Sequence, residues 1–234
     1  PRAFTAREGG TIIDTRDFAL RVLITGVAGF VGSHLADYLL SLPDLEVWGV
    51  SRSSLPAKCL PAQREPLNLL TGDLRDRRFV LDAVCRARPD YVFHLAAQAA
   101  PGASWEKAEA TLVNNIVCQL NVLAAAVESG LRPRVLVVGS GDEYGLVRPE
   151  DLPITEDCPF RPNNPYAVSK VAQDMLGYQY YLSHGLPIVR VRPFNHVGPR
   201  QSTQFVVSSF ARQVAAAELG LNEPVIMVGN LEAR

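Results

Sequence analysis

The stretch RVLITGVAGFVGSHLADYLL, Arg21–Leu40, decides the fold. A short apolar run, Val22–Ile24, arrives at Gly26, and Gly29 and Gly32 follow at three-residue steps. Apolar residues at helical spacing come next: Phe30, Leu35 and Leu39. Holding a pyrophosphate requires a strand, a tight glycine turn and a helix start. The backbone must approach the phosphates closely, and the first-turn N–H groups must point at them. Gly26 would make the turn, Gly29 would admit the ligand beside the backbone, and Gly32 would let the helix pack on the strand. A glycine-rich strand-to-helix turn without a ligand carries the same residues, so the rest of the chain has to choose.

Its 234 residues suffice for one large core, or one domain and part of a second. Hydrophobic residues make up 47% and charged residues 20%, ordinary proportions for a globular chain. A net charge of -1 gives no basic footprint for nucleic acid and no stripe suited to a membrane surface. The four cysteines, Cys59, Cys85, Cys118 and Cys158, form no CxxC pair. They read as reduced cytoplasmic thiols with no metal site. No uninterrupted apolar run reaches the roughly 18 residues of a membrane span. Residues 1–20 read as an N-terminal extension without a signal-peptide core.

Along the chain, strand and helix patterns alternate. Leu45–Val50 reads as a second strand, ending at Ser51-Arg52-Ser53. In a dinucleotide fold an acid at that place would take the ribose hydroxyls of NAD, whereas an arginine accommodates the 2′-phosphate of NADP. Arg52 therefore favours NADP, with NAD the lesser expectation. The proline-rich residues 54–66 read as a loop, Leu67–Thr71 as a strand and Arg75–Arg88 as a helix. Asp90–Ala96 is a strand apolar enough for burial on both faces, with His94 packed in the core rather than serving as a ligand. Ser104–Ser129 reads as a long helix ending at Gly130, Val135–Val138 as a strand, Pro165–Ser183 as a helix and Ile188–Arg192 as a strand. This alternation predicts an α/β fold: a Rossmann-type doubly wound parallel sheet over 21–192, with residues 224–229 adding a strand. Phe205–Leu219 supplies one amphipathic helix to a partial C-terminal substrate domain over 193–234.

Tyr166 and Lys170 stand four apart in PYAVSK, so a helix puts them on one face. An ammonium beside a phenol lowers its pKa from about 10, as acid/base work near neutrality needs. Ser140 follows a strand at the edge where α/β ligands bind, and its hydroxyl would steady a substrate oxygen.

These segments resemble the extended short-chain dehydrogenases/reductases acting on nucleotide sugars, the NAD-dependent epimerase/dehydratase family. The matching strings are Thr25–Gly32, Gly72–Leu74, His94–Gln98, Gly139–Gly145, Asn164–Lys170 and Arg192–Gln201, in the family's order. The resemblance implies a catalytic triad of Ser140, Tyr166 and Lys170, with Lys170 also holding the nicotinamide ribose. Asn115 falls where the family keeps a helix asparagine that supports the lysine, although the following Gly-Thr of the family is Cys118-Gln119 here. The implied cofactor contacts are Gly26, Ala28, Gly29, Phe30, Val31, Gly32, Arg52, Asp73, Leu74, Leu95, Ala96, Ala97, Gln98, Tyr166, Lys170 and His196. Ser140, Asp142, Glu143, Asn195 and Arg200 are the implied substrate contacts, and no metal is implied.

Family 4,6-dehydratases place a glutamate two positions after the Ser/Thr to remove the C5 proton; that position here is the shorter Asp142, with Glu143 following. GSGDEYG and RPFNHVGPRQ resemble instead the members that reduce the C4 ketone of GDP-4-keto-6-deoxy-D-mannose with NADPH. The product would be GDP-D-rhamnose or its talose epimer. The alternatives are a GDP-mannose 4,6-dehydratase or another nucleotide-sugar epimerase/dehydratase, and a non-catalytic NADP-binding protein. The resemblance also implies a homodimer through the two long helices. It further implies strand and helix beyond VIMVGNLEAR to complete the sugar domain, so this stretch alone is expected to bind NADP and turn over poorly.

Overall fold

A computed structural model describes residues 19–53 and 67–229. The expected N-terminal extension, apart from its last two residues, and the 54–66 loop lie outside them. Six strands form one parallel sheet: β1 (Leu20–Thr25), β2 (Leu45–Ser51), β3 (Asn68–Thr71), β4 (Tyr91–His94), β5 (Arg134–Val138) and β6 (Ile188–Val191). Their order is β3-β2-β1-β4-β5-β6, so the winding direction reverses between β1 and β4. A crevice opens at such a reversal, above the carboxyl ends of the strands.

Helices cover the two faces unequally. On one face α1 (Phe30–Leu39) packs Ala36, Leu39 and Leu40 against Val22, Ile24 and Val47. On the other, α2 (Arg77–Ala87) and α3 (Ala108–Glu128) bury Val80, Val84, Val122, Leu123 and Ala126 against Leu23, Val92, Val135 and Val137. Alongside α3 runs α4 (Pro165–His184), with Leu176 and Tyr180 on the same core. Asp76 caps α2 by accepting the N–H groups of Arg78 and Phe79 at 2.9 and 3.3 Å. Among the described residues α3 alone is long and apolar enough to cross a membrane, and half of that apolar window is buried inside the fold.

Two segments differ from the sequence expectation. The long helix begins at Ala108 rather than Ser104, because Gly102–Ser104 forms a separate 3₁₀ turn. Residues 224–229 do not join the sheet, whose sixth strand remains an edge. The side-chain amide of Gln213, on α5 (Val206–Glu218), takes the main-chain pair that a neighbouring strand would have taken: Met227 N–H donates to it at 2.7 Å, and it donates to Met227 O at 3.3 Å. No residue of α5 is buried.

The glycine turn forms as its spacing predicts. Gly26 has a φ of +74°, and its N–H donates to Val50 O at 3.0 Å, joining the turn to β2. A Cβ on Gly26 would lie 2.8 Å from the Ala96 nitrogen, on the chain leaving β4. A Cβ on Gly32 would overlap Gly26 O and lie 2.9 Å from the Val27 Cα. Replacing Gly32 with alanine forces backbone apart from backbone, which no rotamer relieves, and is expected to cost about 1–3 kcal/mol. Urea denaturation reads this directly; an unchanged midpoint would contradict the packing.

Candidate active site

The helix end nearest the crevice offers unpaired donors. Gly29 is the N-cap of α1 and brings no side-chain acceptor, and the first turn holds no acidic residue. The first N–H groups of a helix have no partner within it, so this end suits an anion. Ala28, Phe30 and Val31 line the same end, with Gly29 and Val31 exposed. Arg52 is exposed just past β2 and bears on the carboxylate of Asp73, which helps hold that acid below its ordinary pKa. The larger cause is Arg75, whose guanidinium grips Asp73 at 2.6–3.1 Å. Leu74 is buried beside them.

Across the reversal, Leu95–Gln98 leave β4 half-buried. His94 shares a hydrogen bond with Thr25 Oγ1 at 2.8 Å, and burial with the nearby Lys170 pushes it down to about 3. It is therefore a neutral core residue, as expected from sequence. Asn115 does not reach Lys170. Its Oδ1 accepts the Gln98 N–H at 2.7 Å, and its Nδ2 donates to Gln98 O at 3.2 Å and Ser169 Oγ at 2.9 Å. A buried amide with one acceptor and one donor matches a backbone peptide, so Asn115 fixes the Leu95–Gln98 strip and acts on the lysine only through its neighbour. At the position of the family's threonine, Gln119 donates to Gln173 O at 2.5 Å, tying α3 to α4.

Ser140, Tyr166 and Lys170 do come together. Ser140 has extended backbone at the end of β5, and its Oγ accepts the Asp142 N–H at 3.2 Å. Asn164 starts α4 by accepting the Ala167 N–H at 2.8 Å, with Pro165 at the first turn, which places Tyr166 and Lys170 one turn apart. Both are buried, and Lys170 Nζ lies 5.8 Å from the Tyr166 ring centre. That ammonium is turned to Val138 O at 2.9 Å. Burial pushes Tyr166 above its ordinary value, with Asp142 and Glu143 adding to the rise and the Ser140 hydrogen bond opposing it. The expected lowering of the phenol is thus reversed: taking it out of water outweighs that hydrogen bond. Lys170 is pushed down to about 8 by burial, with Glu143 pulling the other way.

A cavity of about 410 Å³ opens beside Ser140, walled by Asp142, Asn163, Asn164 and Asn195 with Val147, Ile154 and Phe194. Asp142 and Asn195, two of the expected substrate contacts, thus line the cavity beside Ser140. Asn163, Val147 and Ile154 escaped sequence reading, because the proline-rich segment that carries them has no period; their nearness to NPYAVSK was the only signal. Two expected substrate contacts are misplaced. Glu143 is fully buried, because its carboxylate folds back to accept the Ser140 N–H at 2.8 Å. Arg200 pairs with Asp37 at 2.6 Å and touches His34 on α1, away from the cavity wall. Its own loop explains this: Pro199 O meets His34 Nε2 at 2.9 Å, and His196 stacks on Phe30 at 5.9 Å. His196 consequently sits at the α1 end, against Phe30.

Comparison with known proteins places this arrangement. The family description "GDP-mannose 4,6 dehydratase" matches residues 23–234. The chain belongs to this family. Members similar to it include GDP-6-deoxy-D-mannose reductase of Pseudomonas aeruginosa, 35% identical over 212 residues, 91% of this chain and 64% of that protein. GDP-mannose 4,6-dehydratase of Yersinia enterocolitica is 31% identical over 224 residues, 91% of this chain and 59% of that protein. Among solved structures, RMD from Pseudomonas aeruginosa complexed with NADPH superposes with a TM-score of 0.74 at 34% identity, over 91% of this chain and 65% of that one. The UDP-glucose 4-epimerase of Thermus thermophilus in complex with NAD gives 0.76 at 33%, over 86% and 63%. This family member thus spans less than two thirds of the length of each of these relatives.

Lys170 should titrate near pH 8, well below an exposed lysine. Its folded pKa lies below its unfolded value, so its contribution to stability is complete above the unfolded value and is lost as pH falls through about 8. NMR of labelled lysine side chains checks this, and a Lys170 midpoint near 10.5 would refute the burial argument.

Proposed function

We propose that the protein is an NADPH-dependent reductase of the C4 ketone of GDP-4-keto-6-deoxy-D-mannose, giving GDP-D-rhamnose or its talose epimer. The observation that carries this reading is the buried Tyr166 with Lys170 one turn away on α4, together with Ser140 on the wall of the cavity. A phenol held above its ordinary pKa is fully protonated near neutrality, the state needed to give a proton to a carbonyl oxygen. Ser140 adds a hydrogen bond to that oxygen, and Lys170 supplies positive charge as the oxygen's own charge develops. The uncapped α1 terminus suits a pyrophosphate, and Arg52 at the end of β2, where no acid stands, suits a 2′-phosphate. NADPH, when bound, supplies the hydride. The similar P. aeruginosa RMD structure complexed with NADPH supports the cofactor, and the similar GDP-6-deoxy-D-mannose reductase supports the substrate class.

Asp142 separates this reading from the dehydratase one. Proton abstraction needs a carboxylate within hydrogen-bond reach, and Asp142 is one methylene shorter than the family's glutamate. Its carboxyl is also pushed above its ordinary value by burial, so it is the weaker candidate for a charged base reaching across the cavity.

An assay with freshly made GDP-4-keto-6-deoxymannose is expected to show slow turnover by this stretch alone, faster with NADPH than with NADH. Tyr166→Phe should lose about 10²–10⁴-fold in kcat while retaining NADPH affinity. Formation of the 4-keto sugar from GDP-mannose and NADP would transfer the protein to the dehydratases. Unchanged turnover by Tyr166→Phe would sink the mechanism.

The same family reading gives a homodimer through α3 and α4, whose outer faces expose Val113, Leu120, Val168, Met175 and Tyr178. Light scattering is expected to return twice the chain mass; a monomer would remove this part of the reading.

A further inference from the structure

We infer that Glu143 is a positioning residue: it holds Ser140 beside Tyr166 and ties that serine, through Arg192 and Asp174, to the helix carrying Tyr166 and Lys170. This rests on the reading of those three residues as the reacting site. The side chain of Glu143 is 0% exposed, so it meets no substrate. One carboxylate oxygen accepts the Ser140 N–H at 2.8 Å, completing a capping box over the Gly141–Tyr144 turn. The other lies 3.3 Å from Arg192 Nε. The same Nε donates to Asp174 at 3.0 Å, one turn beyond Lys170 on α4. Arg190 of β6 pairs with the other Asp174 oxygen, and Arg192 Nη1 donates to Tyr144 Oη at 3.0 Å. The end of β5, the end of β6 and α4 are therefore joined by charge at the one turn that presents the Ser140 hydroxyl.

The backbone is built around this carboxylate. A Cβ on Gly139 would overlap the oxygen that accepts the Ser140 N–H, so only glycine leaves room for it. Stability alone does not account for the arrangement, because a buried ion pair is often no better than apolar residues of similar volume. An apolar residue at 143 could fill the space but could not accept the Ser140 N–H. The groups facing Glu143 are Arg192 after β6, Asp174 and Lys170 on α4, and the Ser140 amide. Burial first, then Asp174, push its carboxyl up to about 7, while the Ser140 amide, Arg192 and Lys170 pull it down.

The test is a pH titration of the Ser140 backbone amide by ¹⁵N NMR on the whole chain, alongside steady-state kinetics. In the unaltered protein that resonance should move with a midpoint of about 7, and in Glu143→Gln it should stay still while the rest of the spectrum is kept. Glu143→Leu, which fills the space but cannot accept the Ser140 N–H, should lower kcat about 10- to 100-fold and leave KM within about twofold, since it misplaces a reacting group without touching the substrate. Gly139→Ala, which displaces the carboxylate without removing it, should also lower kcat. A Ser140 amide indifferent to pH in the unaltered protein, or a Glu143→Leu enzyme with undiminished kcat, overturns the proposal. If the variant does not fold, the titration of the unaltered protein decides. A protein that reduces no keto sugar but whose Ser140 amide titrates would lose the proposed reaction and keep the coupling.

Discussion

The close approach of the turn after β1 to the chain leaving β4 sets the geometry of the whole crevice. Gly26 and Ala96 meet backbone to backbone at the point where the sheet reverses its winding, and Gly32 seats α1 on the same turn. No side chain at 26 or 32 would permit that approach. With those positions bare, the open end of α1, the exit of β2 with Arg52 and the Leu95–Gln98 strip converge on one edge. Asn115 holds that strip by pairing with the Gln98 peptide, so a residue of α3 shapes the same edge from beneath.

The second constraint is electrostatic. The floor under Ser140 holds Glu143, Asp174 and Arg192 with side-chain exposures of 0%, 1% and 12%. Taking such groups out of water is costly unless each is paired, and each has an opposite charge at hand. Desolvation also governs the side chains above this floor, raising Tyr166 and lowering Lys170, both toward their neutral forms. Above the floor, the cavity mixes amides with apolar side chains, a lining suited to a sugar that presents both hydroxyl edges and C–H faces.

Much of this was legible along the chain. Glycine steps, apolar runs and the Tyr166–Lys170 spacing are local patterns, and local patterns specify local structure, so the order of elements and the shared face of Tyr166 and Lys170 emerged from sequence alone. Glu143 and Arg200 were misread because a motif names residue types but not the direction of a side chain. Glu143 turns inward because a capping box and Arg192 reward it, and Arg200 turns to α1 because Asp37 waits there. The failure of 224–229 to form a strand has the same character: an apolar string has β propensity, but the Met227 N–H and C=O pair with the side chain of Gln213 on α5 rather than with β6.

The sequence by itself determined the parallel α/β order, the phosphate-type turn, the place of Arg52 and the pairing of tyrosine with lysine, since all depend on neighbours within a few residues. Tertiary structure alone decided which carboxylates face the cavity and which lie beneath it, where Asn115 acts, and that burial raises rather than lowers the Tyr166 pKa. Those outcomes depend chiefly on partners distant in the chain, Gln98 for Asn115 and Arg192 for Glu143, and on the loss of water around them.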